Sequence, residues 1–248
     1  MSSRFLHQRY VAESAPPEGL RLLTWNVGKV YLPWESRATE RDLQHIAKVI
    51  RQVNPHVVAL QELRDAEQLG RLLALLGRGW RGSIPKDIYD RRAALLIRLP
   101  GSFFAVTTTS GRIAQGASVK LREGREATIV SLHLDAFDAQ RRLDQAQEIV
   151  SIARKRADER ALFIAGDFNI DPTTAAKRSA DDQLYGLLSK GFIDAGAHAG
   201  VTTIFSRRLD YVFVSREVVV ESRAQVLKGR RVNTMDHDPL VVDARLLP

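Results

Sequence analysis

A series of short apolar runs, each bounded at one end by a polar residue, is the feature that most limits what this chain can fold into. Leu22-Leu23-Thr24-Trp25 closes on Asn26, and Val57-Val58-Ala59-Leu60-Gln61 closes on Glu62. Thr128 to Leu132 closes on His133, and Ala161 to Ala165 passes through Gly166 to Asp167, Phe168 and Asn169. Asp210 opens the run Tyr211 to Ser215, while Asp236 and His237 stand just before Leu240 to Ala244. Apolar runs of this length between turn residues read as strands. Strand ends gathered on one rim of a sheet give a site a rigid support.

Helical patterns separate these runs. Ala38 to Val53 carries Leu43, Ile46, Ala47 and Ile50 at helical spacing, with Pro55 beyond its end. Ala139 to Ala157 shows the stripe Leu143, Ala146, Ile149, Val150 and Ala153. Glu67 to Leu76 and Asp182 to Lys190 read as shorter helices, the second stopped by Gly191. Ala93 to Leu99, Phe103 to Thr108, Ala117 to Leu121, Val218 to Val226 and Leu240 to Leu246 read as further strands, and Glu123-Gly124-Arg125-Glu126 as a hairpin turn. Strands interleaved with helices predict sheets covered by helices, an α/β fold.

At 248 residues, with 44% hydrophobic and 27% charged residues, the chain suits one large domain, expected over residues 20–248 behind a loose polar lead-in at 1–19. The apolar stretches are strand-sized, so no transmembrane segment is expected. The lead-in lacks the apolar core of a signal peptide, which predicts a cytoplasmic protein. Cysteine is absent, so no disulfide supports the fold. Lys and Arg number 37 against 29 Asp and Glu, a formal net charge of +8, and such a balance favours polyanionic partners such as nucleic acid or phosphate esters.

Strand alternation predicts Asp167 and Asn169 on one face. A carboxylate beside a neutral hydrogen-bonding group suits a hard cation and a phosphoryl group. The ordered set of WN, QE, SLH, GDFN, LDY and DH, from Trp25-Asn26 to Asp236-His237, resembles the endonuclease/exonuclease/phosphatase (DNase I-like) superfamily. The resemblance runs from Leu20 to the C-terminus. It implies a four-layered α/β sandwich, with two packed mixed β-sheets flanked by helices and the site along one rim. It also implies a divalent-metal-dependent phosphodiester hydrolase that uses Mg²⁺, with Mn²⁺ as a substitute.

The chemistry assigns roles within that expectation. Glu62 and Asp236 are the expected metal carboxylates, with Asn26 as a neutral oxygen ligand or water holder. His237 is the expected general base, oriented by Asp210 through its other ring nitrogen. His133 is expected to donate to a phosphate oxygen or to protonate the leaving group. Asp167 and Asn169 face the same phosphate, and which of His133, Asp167 and His237 moves which proton stays open. Arg91 and Arg92 precede a strand expected near the rim and are candidates for binding substrate phosphate.

Departures from the family's branches narrow the substrate. Gly28 stands where abasic-site endonucleases carry Asp, and His133 where they carry Tyr. The Cys-Asp-Arg motif of inositol polyphosphate phosphatases is replaced by Leu209-Asp210-Tyr211. The Ser131-Leu132-His133-Leu134-Asp135-Ala136 segment, followed by a helix with Arg141, Arg142 and Gln145, is closest in style to tyrosyl-DNA phosphodiesterase-like and sphingomyelinase-like bacterial members. DNase I pairs the His133-position histidine with a glutamate; Ile84 aligns there, with Asp87 or Asp90 as candidate substitutes. DNA or another nucleotide-type phosphodiester is the first substrate expectation, with phospholipid or small phosphate esters as the alternative. A catalytically silent nucleic-acid-binding relative is a third reading, disfavoured because the full residue set is present.

Overall fold

The computed structural model of the protein describes residues 19–28, 39–86, 92–121, 124–158, 160–171, 180–222, 224–231 and 235–247. Alternation sorts the strands into layers. In β1 (Leu20–Asn26), Leu20 and Leu22 face one way while Leu23 and Trp25 face the other. The same division holds in β2 (Val57–Leu63), with Val57 and Ala59 opposed to Val58 and Leu60. Together with β4 (Arg92–Ile97), β13 (Leu240–Leu246) and the short strands β3 (Arg81–Ser83), β11 (Val218–Val220) and β12 (Gln225–Val226), they form a sheet in the order β11-β13-β1-β2-β4-β3, with β12 also on β13. The second sheet runs β5-β6-β7-β8-β10-β9, from β5 (Gly101–Thr107), β6 (Ile113–Lys120), β7 (Glu126–His133), β8 (Ala161–Asp167), β9 (Ile193–Asp194) and β10 (Asp210–Val214). Each sheet is mixed, with β1 parallel to β2 and β7 parallel to β8 among antiparallel neighbours.

The inner faces meet in one apolar layer that includes Leu22, Val57, Leu95, Ile129, Phe163 and Val212. Outside the first sheet lie α1 (Glu40–Val53) and α2 (Ala66–Leu76), whose Leu43, Ile46 and Leu72 pack on Trp25 and Leu60. Outside the second lie α3 (Ala139–Ala157) and α4 (Ala180–Gly191), whose Ile149 and Leu188 pack with Ile164, Phe168 and Phe213. The result is helix, sheet, sheet, helix: the expected four-layered α/β sandwich. Thr39 and Asp42 close α1 with a capping box, and Asp138 caps α3.

Three sequence expectations change. The strand read over Val218 to Val226 is two strands on one edge of β13, Val218 opposite Leu246 and Gln225 opposite Val241, because the chain leaves the sheet between them. The strands β3 and β9 went unread, being too short to show a period. Asn169 does not continue β8. The strand ends at Asp167, and Asn169 adopts the left-handed conformation, φ 53°, so a turn rather than alternation sets its position.

Candidate active site

Registers deliver the polar strand ends to one place. His133 on β7 pairs with Asp167 on β8, which pairs with Asp210 on β10, so three polar side chains stand in a row on the inner face. Across the sandwich, Asn26 on β1 pairs with Gln61 on β2. Beneath this rim lies a polar layer in which the Gln61 amide nitrogen donates to Thr24 Oγ1 at 3.4 Å and Ser131 Oγ at 3.3 Å. It is the transition from the apolar inter-sheet core to the site above it.

Glu62 reaches the rim by breaking the strand. The β2–β4 register shifts between Gln61 and Leu63, and Glu62 has φ 65°. Plain alternation would have turned its carboxylate outward with Val58 and Leu60; the bulge turns it inward. A left-handed non-glycine residue is strained, and such strain gathers at functional sites. Gly28 makes room for it: a Cβ at Gly28 would lie 2.0 Å from Glu62 Oε2.

Asn26 sits at the centre. Its amide nitrogen donates to Asp167 Oδ2 at 2.9 Å and Glu62 Oε1 at 3.2 Å, while its oxygen accepts the Gly28 N–H at 2.9 Å. In this arrangement Asn26 offers a donor that holds two carboxylates in place. His133 Nε2 lies 3.7 Å from Asp167 Oδ2 and 3.9 Å from Glu62 Oε1. His237 Nδ1 is 2.7 Å from Asp210 Oδ2, and its Nε2 lies 3.7 Å from Asp167 Oδ2 and 3.9 Å from Asp236 Oδ2. Asn169 is tied in from below, its N–H donating to Asp167 Oδ1 at 2.9 Å and its amide to the Leu134 carbonyl at 3.0 Å.

The site carries an excess of carboxylates. Burial raises the pKa of Asp167, Asp210 adds to that, and His237, His133 and the Asn26 amide oppose it. Asp236 is likewise raised by burial, and the negative charges of Glu62 and Asp167 add to it. Burial would hold His237 neutral, but Asp210, Asp167 and Asp236 overcome it and push its pKa up to about 10. An oxygen-rich cluster that cannot neutralise itself fits a hard divalent cation. Asp167, Asp210 and His237 also converge within 4.8 Å, but the hydrogen bond between Asp210 and His237 commits that pair to each other.

The basic candidates divide. Arg92 is half-buried at the rim, opposite Leu63 on β2, and its charge helps hold Asp65 below the usual carboxylate range, against burial and alongside hydrogen bonds from Gln68 and Arg64. Arg91, Asp87 and Asp90 lie outside the described residues. Sequence reasoning missed Trp25, whose indole N–H donates to the His237 carbonyl at 3.0 Å and fixes the backbone of that histidine. A buried strand tryptophan needs a partner for its N–H, but nothing in the sequence names which one. Among the described residues, no helix is long and apolar enough to cross a membrane.

The chain belongs to the endonuclease/exonuclease/phosphatase family, whose sequence profile matches residues 23–230. Members of this family are hydrolases of phosphoric esters. An uncharacterized Caenorhabditis elegans protein, F14F9.5, is 30% identical over 193 residues, covering 66% of this chain; the chain spans 58% of that relative's length. Among solved structures, an endonuclease/exonuclease/phosphatase from Bacteroides vulgatus matches with TM-score 0.73 and 19% identity, over 92% of this chain and 99% of that one. The human Nocturnin catalytic domain with bound sulfate matches with TM-score 0.72 and 20% identity, over 94% and 96% of the two chains. These structural likenesses establish the shared fold.

Proposed function

We propose that the protein is a divalent-metal-dependent phosphodiester hydrolase, acting on DNA or another nucleotide-type phosphodiester by attack of an activated water at phosphorus. The observation that carries this reading is the His237–Asp210 pair, 2.7 Å apart and buried, facing an uncompensated carboxylate cluster on one rim. A hard divalent cation at Glu62 and Asp236, Mg²⁺ or Mn²⁺ in its place, would set positive charge against the phosphate oxygens.

This chain's residues supply the rest. Asp210 holds the His237 ring in one orientation, leaving Nε2 toward the site, where it takes a proton from water. Its raised pKa favours the imidazolium at neutral pH in the metal-free protein, and positive charge bound among the carboxylates would lower that pKa toward the range of a base. Asn26 and Asn169 fix Asp167. His133 faces the same space and serves as donor to a phosphate oxygen or as acid to the leaving group.

Hydrolysis of bis-p-nitrophenyl phosphate tests the class. Activity that requires a divalent metal, stops in EDTA and is lost in Glu62→Gln and His237→Ala variants with unchanged circular dichroism is expected. Full activity in EDTA overturns the metal, and an unimpaired His237→Ala variant overturns the base.

Phospholipid or small phosphate esters form a second reading, favoured by how the rim arginines are engaged. Arg141 lies 3.3 Å from Asp135, Arg207 lies 3.6 Å from Asp171, and Arg208 bonds Asp194 at 2.6 Å beneath the surface. At the far ends of β7 and β8, Lys120, Lys155, Arg156 and Arg160 line an opening of about 730 Å³ together with Glu126 and Asp158. A rate comparison across single-stranded DNA, plasmid DNA, sphingomyelin and inositol phosphates separates the two readings.

A further inference from the structure

Three of the four sheet edges are short. β3 has three residues and β9 two, while β11 and β12 on the β13 edge have three and two. The fourth edge, β5, has seven residues, Gly-Ser-Phe-Phe-Ala-Val-Thr. Its pairing with β6 runs from Gly101 to Thr107 without a register shift. Native edges are blunted by shortness, charge, proline or a bulge, because a bare edge recruits another strand. β5 has none of these devices.

The pairing pattern identifies the bare groups. The Lys120 N–H donates to the Pro100 carbonyl at 2.8 Å, and the Thr108 N–H to the Arg112 carbonyl at 2.9 Å. The even-numbered residues of β5 therefore turn their backbone groups toward β6. Phe103, Ala105 and Thr107 turn theirs outward, and among the described residues no strand pairs with them. Just before them, the outward carbonyls of Leu99 and Gly101 accept hydrogen bonds from Arg81 at 2.9 and 3.1 Å. What stays bare is a stretch of three outward residues centred on Ala105, whose side chain is exposed.

The helix beside this edge is charged in opposite senses at its two ends. α3 runs antiparallel to β5: Glu148 accepts the Thr109 N–H at 2.7 Å, and the Arg156 guanidinium lies 4.9 Å from the centre of the Phe104 ring. Ile152, 39% exposed, falls between them on the same helical face. The opening beside Thr109 is lined by Asp138, Asp144 and Glu148 against Arg141 alone. The opening beside Gly101 is lined by Lys120, Lys155, Arg156 and Arg160 against Glu126 and Asp158. One end of the edge is net acidic and the other net basic.

We propose that β5 is the pairing edge of a two-fold homodimer, in which two copies join their second sheets antiparallel about an axis through Ala105. In that register Ala105 meets its own counterpart and Phe103 stands opposite Thr107 of the second copy. Each outward residue then exchanges both backbone bonds with its partner. The small alanine suits the axis, and no like charges meet along the strand. The same rotation sets the acidic opening of each copy against the basic opening of the other, with Ile152 of both copies toward the middle. This self-complementarity selects a second copy over an unrelated extended peptide, which would have to match both ends. Antiparallel pairing points the two rims in opposite directions and leaves both candidate sites open.

Sedimentation velocity over a range of concentrations should show a dimer, twice the 27.8 kDa of the chain, that weakens as salt rises. Ala105→Pro removes an outward N–H that the monomer does not use, and Ala105→Lys sets two ammonium groups against each other at the axis. With circular dichroism unchanged, each should raise the dissociation constant at least about tenfold. The chain has no cysteine, so Ala105→Cys carries a single thiol. Oxidised glutathione should link that variant to itself, because directly paired residues stand about 5.5 Å apart between Cα atoms. Thr107→Cys separates its two thiols by roughly 13 Å along the strand and should stay unlinked. A protein that stays monomeric at every concentration overturns the proposal, including one whose edge pairs only with an added peptide of unrelated sequence. So does a dimer that survives both Ala105→Pro and Ala105→Lys, or one that Thr107→Cys links as readily as Ala105→Cys.

Discussion

At its first residues β1 buries Arg21 against Asp243; at its last it buries Asn26 against Asp167 and Glu62. The two ends are built on opposite rules. Arg21 meets Asp243 through two parallel contacts, Nε to Oδ1 at 2.6 Å and Nη2 to Oδ2 at 2.8 Å, and its Nη1 donates to the Val53 carbonyl at the end of α1 at 3.1 Å. One cation faces one anion with its donors engaged, an arrangement that serves the fold. At the other end Glu62, Asp167, Asp210 and Asp236 share His133 and His237. Like charges gathered in partial burial weaken a fold unless something else binds there, and this imbalance distinguishes a site from a strut.

The contrast is broken if the two ends respond alike to substitution. The largest effect belongs to the rim. His237→Ala and Glu62→Gln should each lower turnover by roughly 10²–10⁴-fold; Glu62→Gln should hold or raise thermal stability because it removes one carboxylate, whereas His237→Ala takes the hydrogen-bond partner from buried Asp210 and should lower it. Steady-state rates beside a melting curve check both halves. An unfolded Glu62→Gln protein would mean that this carboxylate is a strut after all.

Next in size is the opposite end. Arg21→Met leaves the Asp243 carboxylate without its bidentate partner, and removing one member of a buried pair costs about 3–5 kcal/mol. The melting midpoint should fall by several degrees while activity per folded molecule is kept. Urea titration combined with active-site-normalised rates measures this, and a rate loss without a stability loss would erase the distinction between the ends.

Gly28→Ala gives a smaller and sharper test. The added methyl occupies the position of Glu62 Oε2, 2.0 Å away, and the side chain must swing aside. Its flexibility keeps the fold, so stability should change little. Metal affinity and turnover should each fall by about tenfold, as for the loss of a supporting contact around a metal ligand. Isothermal titration with Mg²⁺ reads the first, and an unchanged affinity would take Glu62 out of the ligand set.

How much of this was legible in the sequence follows from how local each feature is. The strands holding Asn26, His133, Asp167 and Asp210 announce themselves because an apolar run stops at a polar residue, a signal contained within seven or eight positions. The long helix Ala139–Ala157 was legible to its ends from its buried stripe. Illegible were the features set by pairing across the chain. The inward turn of Glu62 depends on a bulge against β4, the seat of Asn169 on a carbonyl from Leu134, and the hold on His237 on an indole 212 positions away. Charge was legible as a sum and illegible as a map. The net +8 is real, yet Arg208, two positions before Asp210, turns under the surface to Asp194 and the ring of Tyr211.

The smallest effect is the most direct measure of the imbalance itself. In the metal-free protein His237 has a folded pKa near 10 against an unfolded value near 6.5, raised by Asp210, Asp167 and Asp236 over the opposing effect of burial. A group with a raised folded pKa contributes stability that is full below the unfolded value and is lost as pH rises through the folded one. Asp167, also raised, acts in the same direction from lower pH, since its neutral form is the one the fold favours. The metal-free protein should therefore lose stability steadily between about pH 6.5 and pH 10, and Asp210→Asn, which removes the nearest carboxylate, should flatten that slope. Imidazole resonances followed by NMR in EDTA give the assignment. His237 should remain protonated through pH 8 in the native protein and titrate closer to 6.5 in Asp210→Asn. A native His237 that titrates near 6.5 would mean that the rim carboxylates do not act on it together, and the two ends of β1 would then differ in geometry but not in charge balance.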